Sequence, residues 1–406
     1  MFSDSSGSRS LFRHRPFLFY FLARGLSKFC YQIAAVAVGW QVYALTNSAL
    51  ALGLVGLTQF VPTAILVFVA GHAADRYDRK RVAQLSQFAA AAAAAFLAWG
   101  SFAGWLNVGE IFAAVTVFGA AIAFENPASA AMLPLTVPDG MLQRASAQSS
   151  VSVQIATITG PAVGGFAYAL GPDVPYGAMA VLWLAAGLIN GAVALRAQTV
   201  SKEPPTLAGL FAGVRFVRDN PAIFGTISLD LFAVLFGGVT ALLPIYARDI
   251  LHTGPWGLGV LRGAPAVGAV LMASLMTRRP LSRRVGMRMF QAVVVFGVAT
   301  MVFALSHLLW LSVLALAILG AADMVSVVIR VSLVQLRTPD NMRGRVGAVN
   351  YLFINASSQL GDFESGVVAA LIGAVPAALV GGAATVAVAL LWMKLFPTLR
   401  DVERLE

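Results

Sequence analysis

Gly71-His72-Ala73-Ala74-Asp75-Arg76-Tyr77-Asp78-Arg79-Lys80-Arg81 stands between two apolar runs, 49–71 and 82–102. Each run has the length, about 20 residues, that a helix needs to cross the hydrocarbon core of a bilayer. Between them lie Arg76, Arg79, Lys80 and Arg81 in six positions. Short loops this basic collect on the cytoplasmic face of a membrane. The stretch is therefore a cytoplasmic turn between two membrane-spanning helices.

The same alternation extends in both directions. Of 406 residues, 59% are hydrophobic and 11% charged, with mean hydropathy +0.80. Soluble chains carry roughly 25% charged residues, so most of this exterior must face lipid. Twelve apolar runs are long enough to span: 17–43, 49–71, 82–102, 108–128, 142–170, 176–195, 222–246, 258–276, 286–305, 308–333, 346–371 and 377–396. The fold class expected is an all-α integral membrane protein of twelve transmembrane helices in two six-helix bundles.

Charge in the short loops sets orientation. One side gathers Arg13 and Arg15, Arg76 to Arg81, Arg144, Arg278 to Arg288, Arg343 and Arg345, and Arg400; the other carries only Arg248. Both termini are expected in the cytoplasm. The interruption 197–220 contains Pro204 and Pro205, then Leu207, Leu210, Phe211, Val214 and Val217 interleaved with Arg215 and Arg218. That pattern predicts a short amphipathic helix at the interface. The chain then divides into an N-terminal tail 1–16, a six-helix bundle 17–196, a linker 197–221, a second bundle 222–396 and a tail 397–406. The first apolar run is long enough to be a retained helix rather than a cleaved leader.

Composition also excludes some functions. The formal charge of +10 is scattered in short clusters between apolar runs, not gathered on a soluble face, which argues against nucleic acid as a partner. Cys30 is the only cysteine, so no intrachain disulfide or multi-cysteine metal site can form. His14, His72, His252 and His307 fall near the ends of runs, so neither a metal centre nor a His-based catalytic site is expected, and no cofactor.

Ionisable residues inside a span are costly and mark function by default. The first run holds Arg24 and Lys28, the fourth Glu125, the seventh Asp230, the eighth Arg262, the tenth Asp323 and Arg330, and the eleventh Asp362 and Glu364. The third, sixth, ninth and twelfth interiors have none. Arg24, Ser27, Lys28 and Tyr31 share a helix face, as do Asp323, Ser326 and Arg330, and Asn355, Ser358, Gln359 and Asp362. Asp230, Asp362 and Glu364, with Glu125 and Asp323 behind them, are candidates for carrying a proton. Arg24, Lys28, Tyr31, Arg262, Arg330, Asn355 and Gln359 are candidates for lining a polar path. Arg24, Lys28 and Arg330 either hold an anionic solute or neutralise a carboxylate; the residues alone leave both open.

The opening stretch resembles the cytoplasmic signature of the major facilitator superfamily, Gly-x-x-x-Asp-Arg-x-x-Arg-Lys-Arg, with Asp78 where that family often has glycine. The resemblance implies that Gly71, Asp75, Arg76, Arg79, Lys80 and Arg81 form a latch holding one access state. It also implies that every third helix lies outermost, in keeping with the charge-free runs. Ala156-Thr157-Ile158-Thr159-Gly160-Pro161-Ala162-Val163-Gly164-Gly165 looks like the antiporter signature of exporters, with Ala156 in place of its first glycine. No arginine stands in the fourth run, where drug–proton antiporters often carry one. Asp230 to Gly238, Ala322 to Arg330 and Ser358 to Gly366 are similar to the enterobactin-exporter-like, drug and siderophore branch. The resemblance implies proton-coupled export of a small organic molecule by alternating access in a bacterial inner membrane. The partners are then the lipid bilayer, a small-molecule substrate and protons. An importer or uniporter on the same fold is the alternative. A non-transporting membrane sensor or membrane enzyme is the alternative from another class.

Overall fold

The computed structural model describes residues 11–138, 140–196, 207–279, 283–339 and 342–404, without the side chains of 67, 68, 72–75, 207–211, 213, 344, 348, 351, 352 and 355. The side chains of Asp75 and Asn355 therefore lie outside the described residues, as do the tail through 10 and 197–206. All regular structure among the described residues is helical.

The N-terminal half contains α1 (Arg15–Thr46), α2 (Ala49–Arg76), α3 (Arg79–Ala103), α4 (Val108–Met132), α5 (Leu142–Leu170) and α6 (Val174–Gly191). Next come α7 (Leu207–Asp219), α8 (Pro221–Gly237) and the single turn α9 (Leu243–Ile245). The chain continues with α10 (Gly254–Arg278), α11 (Val285–Leu305), α12 (Leu309–Arg337), α13 (Arg343–Ile372), α14 (Ala374–Leu395) and α15 (Pro397–Arg400).

Local chemistry sets the ends. α1 stops where Asn47 turns left-handed, and the Ser48 hydroxyl accepts from the Ala51 N–H at 3.2 Å to start α2. Asp78 caps α3 by accepting from the Lys80 N–H, and Gly104 closes it with φ +74°. Asn107 and Glu110 make a reciprocal capping box at the start of α4, satisfying backbone donors that would otherwise be orphaned.

Eleven helical segments among the described residues are long and apolar enough to cross a membrane. The remaining long helix, α13, has 30 residues but carries Arg343, Arg345, Asp362 and Glu364. Apolar side chains stay exposed along these helices, among them Phe102 at 75% and Leu271 at 66%, as a lipid-facing surface requires. The run 222–246 is not one helix. It breaks at Gly237 and Gly238, passes through a 3-10 turn and α9, and ends in a π-turn, Tyr246–Ile250. Two adjacent glycines leave the backbone without side-chain packing, and Pro244 has no N–H to extend a helix through it.

The structure falls into two compact units: residues 1–38 with 61–204, and residues 39–60 with 205–406. In the first, α3 packs against α4 and α6. In the second, α10 packs against α12, α11 against α12 and α14, and α8 against α13 and α14. The second unit is cored by Leu229, Met289, Phe290, Ile329 and Ala389 from α8, α11, α12 and α14. Val217 of α7 joins Ile223, Ile227, Val334, Val346 and Val349, fixing this short helix to α8, α12 and α13.

Candidate functional site

In the first unit the polar stripe of α1 meets α3, α4 and α6. Glu125 on α4 is 2% exposed. Its carboxylate accepts from Ser27 Oγ at 2.8 Å, Tyr31 Oη at 3.3 Å and Gln87 Nε2 at 3.0 Å. Trp183 Nε1 of α6 donates to Ser27 Oγ at 3.0 Å, and Asn190 Nδ2 donates to Gln87 Oε1 at 3.3 Å. The Tyr31 and Trp183 rings meet edge to face at 5.0 Å. Four helices are thereby tied to one carboxylate through neutral donors, which removes much of the penalty of burying it.

The cations of that stripe are placed differently. Lys28 Nζ donates to Asn126 Oδ1 at 2.6 Å and lies 5.6 Å from the Tyr31 ring. Arg24 Nη1 donates to Tyr20 Oη at 2.6 Å, while its Nε is buried with no hydrogen-bond partner. Both side chains are half-buried.

The small residues of α5 set its distance from α1. A methyl group on Gly160 would lie 2.6 Å from Gln32 Cβ, and one on Gly164 3.1 Å from Ile33 Cα. Only glycine permits that approach, one turn from Lys28 and Tyr31. Pro161 stands inside α5, and Gly165 is buried beside it. Of the loop signature, Arg79 Nη1 donates to the Ala131 carbonyl near the end of α4 at 3.4 Å, where a cation meets the negative end of a helix. Arg76 and Arg81 are exposed, and Lys80 is half-buried.

The second unit holds three groups. Arg330 of α12 makes a hydrogen-bonded ion pair with Asp230 of α8, and the two residues are 7% and 6% exposed. Arg330 Nη2 also lies 3.6 Å from Asp323 Oδ1, whose side chain is 44% exposed. A small cavity lined by Asp323, Ser326, Arg330, Val234 and Phe296 opens beside them, and Ser326 Oγ is buried there without a partner. Two carboxylates share one guanidinium.

On α13, Asp362 lies near the Ala241 N–H in the broken segment after α8 and within Coulombic reach of Arg262 on α10. Gly56 of α2 comes close to both Asp362 and Gln359. Glu364 is half-buried, and its neighbour Ser365 donates to the Gly238 carbonyl at 2.6 Å, pinning the break.

The third group joins the end of α1 to the π-turn. Tyr43 Oη donates to Asp249 Oδ2. Arg248 Nη1 donates to the Tyr43 carbonyl at 3.3 Å, and its guanidinium lies 5.4 Å from the Tyr43 ring. Nearby, a methyl group on Gly53 of α2 would lie 3.1 Å from Gly366 Cα.

The structure thus brings Arg24, Lys28, Tyr31 and Glu125 together in one unit, and Asp230, Asp323 and Arg330, with Arg262 beside Asp362, in the other. Gln87, Asn126, Trp183 and Asn190 belong to the first cluster, and Tyr43 and Asp249 to the clasp; sequence reasoning picked none of these. Gln87 and Asn190 were detectable as amides within the third and sixth apolar runs, but a search for charge passes over them.

The family described as transmembrane secretion effector matches residues 6–406. The multidrug efflux pump Tap of Mycobacterium tuberculosis is 29% identical over 364 residues, 82% of this chain and 82% of Tap. The enterobactin exporter EntS of Citrobacter koseri is 27% identical over 400 residues, 95% of this chain and 93% of EntS. Among solved structures, the nucleoside transporter NupG has a TM-score of 0.75 at 16% identity, covering 94% of this chain and 100% of NupG. The peptide transporter POT has 0.74 at 13%, covering 96% of this chain and 95% of POT. At those identities the likeness is one of fold. The family and its curated relatives are transporters rather than enzymes. With its helices, its buried charges and a match over nearly its whole length, this chain belongs to the transmembrane secretion effector family of the major facilitator superfamily, and is a multi-pass membrane transporter.

Proposed function

We propose that this transporter exports a small organic molecule in exchange for protons, by alternating access, from a bacterial inner membrane with both termini in the cytoplasm. The observation that carries the reading is the Asp230–Arg330–Asp323 group. One guanidinium faces two carboxylates, and it is hydrogen-bonded to Asp230. Asp323 is the more exposed and more loosely held acid. A proton on Asp323 removes the excess negative charge without breaking the buried pair, so Asp323 is the first candidate for the coupling site. Asp230 positions Arg330. Asp362, within Coulombic reach of Arg262, and Glu364 and Glu125 follow.

Export is supported by the relatives, one described as an efflux pump and the other as an exporter. The close seating of α5 on α1 at Gly160 and Gly164 supports it too, since this is the signature that resembles those of exporters. Alternating access is supported by the grouping of residues 39–60 with the C-terminal half. The ends of α1 and α2 are held there by the Tyr43–Asp249–Arg248 clasp and by glycine contacts. Such a clasp is small, polar and able to part.

The test is made in everted vesicles from a strain lacking its own efflux pumps. A panel of antibiotics, dyes and siderophores is added after the lumen has been acidified, and luminal pH is followed with a quenchable amine dye. Release of protons on addition of a panel member, only in vesicles containing this protein, is the expected result. Uptake of a panel member at a rate indifferent to the imposed gradient would remove proton exchange.

A further inference from the structure

We propose that Arg24 and Lys28 form an anion-recognition subsite, so that the transported solute is an organic molecule carrying a carboxylate, sulfonate or phosphate group. The proposal rests on the transport reading and adds the chemical class of the cargo.

The cations of the two units differ in what they face. In the second unit Arg330 is shared by Asp230 and Asp323. That guanidinium is committed within the protein. In the first unit, neither Arg24 nor Lys28 lies within 4.0 Å of a carboxylate among the described residues. Their hydrogen bonds go to neutral oxygens, those of Tyr20 and Asn126.

Glu125, the acid of that cluster, is engaged by three neutral donors, Ser27, Tyr31 and Gln87. Its charge reaches Lys28 through space. Two cations against one carboxylate leave a net positive charge on a helix that crosses the bilayer. A half-buried cation in a span costs several kcal/mol unless something offsets it. An anionic solute is the missing complement.

The geometry suits one acidic group. Arg24 and Lys28 are four residues apart on the same face of α1, so their Cβ atoms lie about 6 Å apart. Arg24 Nε is buried without an acceptor, leaving a directed donor beside the ammonium of Lys28. A guanidinium presents a fork to two oxygens, and an ammonium adds a point charge. The Tyr20 and Tyr31 rings, 5.9 Å from Arg24 and 5.6 Å from Lys28, flank these charges without neutralising them. Tyr20 is buried in the core, and the part-exposed Tyr31 offers an apolar face to the body of the solute.

The test uses the full chain in lipid nanodiscs with two dyes on one xanthene skeleton, anionic fluorescein and cationic rhodamine 6G. Binding is read by fluorescence anisotropy, and transport of the same dyes in proteoliposomes. Fluorescein is expected to bind the native protein more tightly than rhodamine 6G. Arg24→Gln and Lys28→Gln should each weaken fluorescein about tenfold or more and leave rhodamine 6G unchanged or tighter. Lys28→Arg keeps the charge and should stay within about threefold of native affinity. Arg24→Gln loses only the Tyr20 bond, so it remains informative if the Lys28 variants fail to fold. Preference of the native protein for rhodamine 6G, no fluorescein binding, or fluorescein affinity unmoved by a folded Arg24→Gln would each overturn the anion site. Rhodamine 6G pumped while fluorescein is ignored would overturn it and keep the exporter. Fluorescein bound through Arg24 and Lys28 but moved in neither direction would support the subsite and remove the export reading.

Discussion

Replacing Arg330 with glutamine should destabilise the protein more than replacing its partner Asp230 with asparagine. The pair is buried on both sides. Removing one member of a buried ion pair typically costs about 3–5 kcal/mol, because the survivor is left uncompensated. Arg330→Gln leaves Asp230 in that state, with Asp323 adding repulsion, so the full cost is expected. Asp230→Asn leaves Arg330 a second carboxylate 3.6 Å away. At an effective dielectric constant of about 20 such a pair gains about 4–5 kcal/mol, and the exposure of Asp323 cuts that to about 2. Asp230→Asn should therefore cost about 1–3 kcal/mol. The double variant, with amides facing each other, should fall within about 1–2 kcal/mol of native, giving a coupling of about 2–7 kcal/mol. Reversible unfolding in mixed micelles, followed by tryptophan emission, reads all four corners of the cycle. Equal losses for the two single variants, or additivity in the double, would refute the shared-guanidinium geometry.

Three further outcomes follow from other contacts. Glu125→Gln puts an amide N–H against groups that already donate, so it should cost about 1–3 kcal/mol and shift Trp183 emission through Ser27; a variant as stable as native would show that the three donors do not converge on a carboxylate. Gly160→Leu should lose about 1–3 kcal/mol by forcing α5 off Gln32, whereas Gly177→Ala, with nothing within 4 Å, should be neutral in the same melting assay. Tyr43→Phe removes the bond to Asp249, so amide exchange across 246–253 should speed up by about five- to thirtyfold in hydrogen-exchange mass spectrometry, the effect of about 1–2 kcal/mol; an unchanged rate would show that the clasp does not hold that turn.

The number of spans was readable because each apolar run has the length of a bilayer and basic loops separate the pairs. The end of α1 at Asn47, the capping box at Asn107 and Glu110, and the short helix before Pro221 follow from local chemistry visible in the chain. The break inside 222–246 was marked by Gly237, Gly238 and Pro244, yet hydropathy alone reads through it, since glycine and proline lower an average very little. Which charges pair was not readable. Asp230 and Arg330 are 100 residues apart, and nothing local to either tells it from Asp323 or Arg24. The stripe on α1 was visible as spacing. That Glu125 would be satisfied by Gln87, Ser27 and Tyr31, leaving Arg24 and Lys28 to neutral partners, depends on how α3, α4 and α6 close around α1. The Tyr43–Asp249 clasp joins two segment ends with no shared motif, and only the folded chain brings them together.

Exchange of solute for protons through Asp323 is tested by measuring two modes of transport on one variant. Asp323→Asn keeps the shape of the side chain and the Asp230–Arg330 pair, but cannot carry a proton. In proteoliposomes loaded with the solute found in the vesicle screen, counterflow of labelled solute requires the two access states but no net proton movement. Net flux driven by an imposed pH gradient requires both. Asp323→Asn should retain counterflow and lose gradient-driven accumulation. Accumulation by Asp323→Asn at the native level and with the native pH dependence would contradict exchange through Asp323.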